Sequence, residues 1–242
     1  QASQADDFQT VKGGGHGDYR LIALAPASVQ EMADFVGLAF DLAFKYRNPA
    51  IILADGVIGQ MMEKVVLPEQ RPRLTNEEVM ARCPWATFGK LKHRGPNIVT
   101  SLELDPAEME KRNIHLQQKY AEIEEKEVRY EEIHCDDAEY LIVAFGSCAR
   151  IAQKAMEEAR AEGIKVGLLR PITLWPFPSK AIAERSRQVK GILTVELNAG
   201  QMVEDVRLAV ECKVPVEYFG RLGGIVPDPD EVVTALKEKI IK

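Results

Sequence analysis

GIKVGLLRPITLWPFPSKAIAERSRQVKGILTVELNAGQMVEDV, from Gly163 to Val206, is the stretch that decides the fold. It reads as a short apolar strand, a turn, a helix, a second apolar strand and a helix start behind a glycine. Pro171, Pro176 and Pro178 fall within eight residues. They exclude a helix there and fix the backbone around Trp175 and Phe177. Downstream, Val214 to Tyr218 reads as another strand, and Asp228-Pro229 with Glu231 caps a final helix. Upstream, Leu141 to Phe145 reads as a strand entering Gly146-Ser147, with a helix through Arg160. Strands alternating with helices predict an open, mostly parallel sheet with helices on both faces.

Further upstream, Asp105-Pro106 with Glu108 opens a helix that the spacing of Met109, Leu116, Tyr120, Ile123 and Tyr130 carries to about Ile133. Its acids (Glu122, Glu124, Glu125, Glu127, Glu131, Glu132) read as a solvated face. Residues 60–104, with Pro68, Pro72, Pro84 and Pro96, read as a long connection with extended pieces near Trp85–Phe88 and Ile98–Leu104. Before it comes a strand–helix–strand unit. Leu21 to Ala25 is apolar, Ser28 with Glu31 forms a capping box for a helix to Tyr46, and Ala50 to Ala54 is the second strand. The pattern divides the chain into residues 1–63, a linker 64–138 with the long helix at about 106–133, and a domain 139–242.

A formal charge of -6 speaks against nucleic acid or an anionic membrane as partner. No apolar run approaches the roughly 20 residues needed to span a bilayer. Cys83, Cys135, Cys148 and Cys212 form no close-set pair, which argues against an iron–sulfur cluster or structural zinc on this chain and suits free thiols in a reducing cytoplasm.

Two groups of candidate site residues stand out. Gly15, His16, Gly17 and Asp18 lie in a Gly-rich run able to cradle a phosphate, although a strand and not a helix follows it. His16 is its one group with proton-transfer chemistry near neutral pH. Gly146, Ser147, Glu196, Asn198 and Gln201 sit at the carboxyl ends of predicted strands, where open α/β sheets bind ligands. They serve there as ligand contacts, or as helix caps and a subunit contact. Cys148 at a helix start has the placement of a thiol with a depressed pKa, or of a small residue in a tight strand–helix turn. No GxSxG, HExxH or Ser/His/Asp ordering marks a hydrolase.

RPITLWPFP, VELNAGQMVEDVR and the early FQTVKGGGHGDYRLIALAPASVQEM together resemble the α subunit of 2-oxoacid:ferredoxin oxidoreductases, closest to the type acting on branched-chain 2-oxoacids such as 2-oxoisovalerate. The resemblance covers nearly the whole chain. It implies a thiamine pyrimidine-binding domain, incomplete here, followed by a transketolase C-terminal-like domain. It also implies conversion of a 2-oxoacid, CoA and oxidised ferredoxin to acyl-CoA, carbon dioxide and reduced ferredoxin. Thiamine diphosphate and magnesium would sit on a β subunit, with iron–sulfur clusters on further γ/δ subunits. The family's Tyr-Pro-Ile-Thr-Pro segment, its activating Glu and its carboxylate-binding Arg have no counterpart between Gln1 and Tyr19. The chain therefore reads as the C-terminal two-thirds of such a subunit, cytoplasmic, carrying no cofactor and no activity by itself. The alternative is a non-catalytic dimerisation or docking module, and a third reading is a small-molecule-binding domain using the Gly146 and Asn198 sheet ends.

Overall fold

The structure is a computed structural model that describes residues 10, 11, 17–87, 92 and 95–241. It forms two compact units, one of Gln1–Val66 with Leu116–Lys242 (the body) and one of Leu67–His115 (the arm).

In the body, β1 (Ile22–Leu24), α1 (Val29–Tyr46) and β2 (Ala50–Ile52) form a parallel strand–helix–strand unit. Ser28 caps α1 by accepting from the Glu31 N–H. The capping box expected there is half-formed: Glu31 Oε2 accepts from Ala27 N–H, and its Oε1 is held by Arg170 at 2.6 Å. Asp55 begins a short helix, α2 (Gly56–Gln60).

The larger sheet has the order β3-β5-β4-β7-β8, with β3 Tyr130–Ile133, β4 Tyr140–Ala144, β5 Val166–Pro171, β7 Ile192–Glu196 and β8 Val216–Gly220. Four strands are parallel, as expected, and β3 joins antiparallel at one edge. Successive residues of β4 point to opposite faces. Leu141 and Val143 enter one core with Ile182 and Val206; Ile142 and Ala144 enter the other with Met156 and Leu236. Helices α6 (Ser179–Arg185) and α7 (Met202–Val210) cover the first face, and α5 (Gly146–Ala161) and α8 (Pro229–Leu236) the second.

Two strands differ from the sequence expectation. The helix that begins at Pro106, α4, ends at Lys126, short of Ile133, because the following residues pair with β5. The acids there are not a uniformly solvated face. Glu127 is buried, and Glu132 is paired with Arg185 at 2.6 Å. The Pro-rich turn holds β6 (Thr173–Trp175), which lies antiparallel on β1 and completes the three-stranded sheet β2-β1-β6. Trp175-Pro176 is cis.

The arm contains α3 (Asn76–Arg82), unforeseen in the sequence, and the first turns of α4. Thr75 and Glu78 form a full capping box at α3. The extended pieces expected at 85–87 and 98–104 are not strands; the remainder of the first piece, and Gly15 and His16, lie outside the described residues.

Candidate functional site

Two of the three stretches that carry the resemblance, the early one and the Pro-rich turn, meet in space. Gly17 has a positive φ of 96°, and the chain runs from it through Asp18 and Arg20 into β1, on which β6 of the Pro-rich turn lies. A cavity of about 570 Å³ opens beside this junction. Trp175, Phe177, Tyr130 and Val128 supply its apolar wall, and Arg20, Lys180, Glu124, Glu125 and Asp205 its charges. Trp175 is fixed from behind by Tyr120, edge-to-face at 5.6 Å between ring centres. No His or Cys lines it, so among the described residues the cavity offers amphipathic binding without a proton shuttle near neutral pH.

The carboxyl ends of β4 and β7 present a second, polar group. Gly146 adopts φ 58°, a left-handed conformation that lets β4 turn directly into α5. The Ser147 N–H donates to Asp55 Oδ2 at 2.8 Å, while Asp55 Oδ1 accepts from Val57 and Ile58 N–H, both at 3.0 Å. One carboxylate thus serves the starts of α2 and α5. Glu196 does the same for α7, accepting from Met202 N–H (2.7 Å), Val203 N–H (2.9 Å) and Gln201 N–H (3.2 Å). Asn198 Oδ1 accepts from Gly200 N–H at 2.7 Å and from Gln201 N–H, and the Tyr218 hydroxyl donates to the Asn198 carbonyl. Glu196 and Asn198 are fully buried, so within this chain both act as helix caps. Burial pushes the Glu196 carboxyl above its ordinary range, against the opposing pull of the backbone donors. Cys148 shows no depressed pKa. Burial raises its thiol strongly, and the nearby Asp55 and Glu196 charges raise it further, which outweighs the helix start.

Sequence reading passed over three side chains that hold the body together. Glu127 accepts from Lys45 Nζ and the Tyr46 hydroxyl, both at 2.6 Å, and from Arg129 at 2.9 Å. Burial alone would raise its carboxyl, but these donors prevail and hold it at about 2. Arg170 bonds Glu31, and Arg150 bonds Glu63 at 2.7 Å. Asp55-Gly56 behind an apolar strand carried a readable cap signal.

The sequence pattern of "Pyruvate flavodoxin/ferredoxin oxidoreductase, thiamine diP-bdg" matches residues 1–133. The chain belongs to this family. "Pyruvate:ferredoxin oxidoreductase core domain II" matches residues 138–232. Ketoisovalerate oxidoreductase subunit VorB of Methanothermobacter marburgensis is 49% identical over 97% of this chain and 65% of its own length. 2-Oxoglutarate synthase subunit KorA of the same organism is 32% identical over 97% of this chain and 68% of its own. The chain thus spans about two-thirds of the length of these relatives. Among solved structures, 2-oxoglutarate:ferredoxin oxidoreductase from Magnetococcus marinus superposes with a TM-score of 0.75 at 22% identity, over 98% of this chain and 45% of that one. That likeness establishes the fold.

The ties described above join the two matched regions. Glu31, Asp55 and Glu63 of the thiamine-binding part are held by Arg170, the Ser147 N–H and Arg150 of domain II. Thiamine diphosphate, which the family description implies, carries a diphosphate that a metal ion usually neutralises. Among the described residues no three His, Cys, Asp or Glu side chains converge for a metal, and the carboxylates of Asp55 and Glu196 are committed to backbone N–H groups. The described residues do not fit that end of the cofactor.

Proposed function

We propose that this chain is part of the α subunit of a thiamine diphosphate-dependent 2-oxoacid:ferredoxin oxidoreductase. The reaction takes a 2-oxoacid, CoA and two oxidised ferredoxins to an acyl-CoA, carbon dioxide, two reduced ferredoxins and a proton. The observation that carries this reading is the 49% identity to a ketoisovalerate oxidoreductase subunit along 97% of the chain. That identity, against 32% for the 2-oxoglutarate synthase subunit, favours branched-chain 2-oxoacids as substrates. In this reading the cofactor and magnesium are held on a β subunit, iron–sulfur clusters on γ/δ subunits, and the complex works in the cytoplasm. No helix of the described residues is long and apolar enough to cross a membrane.

The chain's own contribution is positional. The run Gly15–Asp18 borders the active site, and the β1–β6 pairing anchors its far end to domain II. Gly146, Ser147, Glu196, Asn198 and Gln201 keep the carboxyl ends of β4 and β7 rigid. Purification of the full protein with its co-assembling subunits from the host tests the reading. CoA-dependent reduction of a viologen dye, fastest with 2-oxoisovalerate, is the expected result. Absence of CoA-dependent reduction with 2-oxoisovalerate, 2-oxoglutarate and pyruvate alike would overturn it.

A further inference from the structure

We propose that the cavity of about 570 Å³ beside the β1–β6 junction binds a zwitterionic small molecule with an apolar body, an α-amino acid carrying a branched or aromatic side chain. The inference is independent of the reaction proposed above, and its test reads binding and not turnover. The whole lining belongs to the body. It is drawn from both matched regions: Arg20, Glu124, Glu125 and Tyr130 come from one, and Trp175, Phe177 and Lys180 from the other. A cavity of this size along such a seam is where small ligands are commonly held.

The lining charges fall into two groups. β1 and β6 run antiparallel with Ala23 opposite Trp175, so Arg20, ahead of Ala23, and Lys180, beyond Trp175, leave the strand pair at the same end. Glu124 and Glu125 stand in the last turn of α4, where the helix dipole adds to their negative charge. None of these four forms an ion pair among the described residues, although all line one cavity. Asp205 lines it too and already has an interaction of its own. A lone anion or a lone cation would meet one attractive group and one repulsive group, whereas a ligand with both charges satisfies both.

The apolar wall adds an open donor. Trp175 is only 6% exposed, and its indole N–H has no acceptor among the described residues. That nitrogen is not among the unpartnered polar atoms sealed from solvent, so the little of Trp175 that meets solvent includes this donor. A carboxylate in the cavity supplies the acceptor that a buried indole N–H ordinarily finds. Phe177, Tyr130 and Val128 receive the apolar side chain, on a wall that the edge-to-face contact of Tyr120 with Trp175 holds in place. An α-amino acid brings ammonium, carboxylate and apolar group together on one carbon.

Isothermal titration calorimetry on the full protein in its assembled complex tests this, with L-leucine and L-phenylalanine as probes. Both should bind saturably and about tenfold more tightly than glycine, which lacks the apolar body. Isoamylamine and isocaproate, which keep the body of leucine and one of its charges each, should also bind about tenfold more weakly. Lys180→Met should weaken L-leucine about tenfold without weakening the amine, and Glu124→Gln with Glu125→Gln should do so without weakening the carboxylate. Circular dichroism melting confirms that each variant is folded. Absence of saturable binding by both amino acids overturns the proposal. So does L-leucine binding that either variant leaves unchanged, or an analogue with one charge that binds as tightly as L-leucine.

Discussion

In the body, Ile142, Val143, Phe145, Leu168, Leu169 and Leu193 are sealed from water between helices on both sides of the sheet. In the arm, Leu67, Ile98, Val99, Leu102 and Leu104 are exposed, and Cys83 is the one buried apolar residue among those described. The arm has apolar residues but no repeating strand–helix pattern to gather them on one face, so its order is local. α3 buries none of its residues and rests on the Thr75–Glu78 capping box. Helices this short are marginal in water without such a cap. In the body, packing dominates; in the arm, hydrogen bonds at chain ends do.

Substitutions can break this contrast or sharpen it. Phe145→Ala, emptying a buried site in the core that also holds Leu141 and Val143, should cost about 4 kcal/mol in urea unfolding. Glu127→Ala should cost about 3 kcal/mol, because Lys45, Tyr46 and Arg129 lose the carboxylate they share. The pH dependence gives the sign. The folded carboxyl sits at about 2 against an ordinary 4.5. Its stabilisation is therefore complete above pH 4.5 and drains away as pH falls toward 2. Melting temperatures measured across that window should fall less steeply in Glu127→Gln than in the parent. Glu196→Ala should cost about 2 kcal/mol, with the amides of Met202 and Val203 the first to gain hydrogen-exchange rate. In the arm, Thr75→Ala should lower the helicity of 76–82 by about 1 kcal/mol of local stability while the global unfolding midpoint stays put. Leu104→Ser should move global stability by less than about 0.5 kcal/mol. A larger loss would mean the arm is buried more deeply than its exposure implies.

Much of this architecture was legible because its signals are local. The apolar runs at Leu141 and Ile192, the Asp228-Pro229-Glu231 cap and the Ser28 start each announce an element within a few residues. β3 and β6 escaped because their partners are remote. Arg129 N–H donates to the Thr173 hydroxyl and its carbonyl accepts from Thr173 N–H, a pairing that neither the acidic run nor the prolines advertise. The candidate sites were legible as positions at strand ends but not as roles. That Asp55 reaches Ser147 across 92 residues is a property of the folded chain. Thr75-x-x-Glu78 was readable as a cap and was lost among the prolines of the connection.

The strand pair β1–β6 also sets a schedule. Leu24 is made first, and its neighbour Thr173 follows 149 residues later. At about 5–20 residues per second, a ribosome needs about 7 to 30 s to bridge that interval. Throughout it, one flank of β1 stays without the partner that finishes its sheet. A nascent chain with an open strand edge is a template for wrong pairings, and a chaperone acting within that interval has its natural target there.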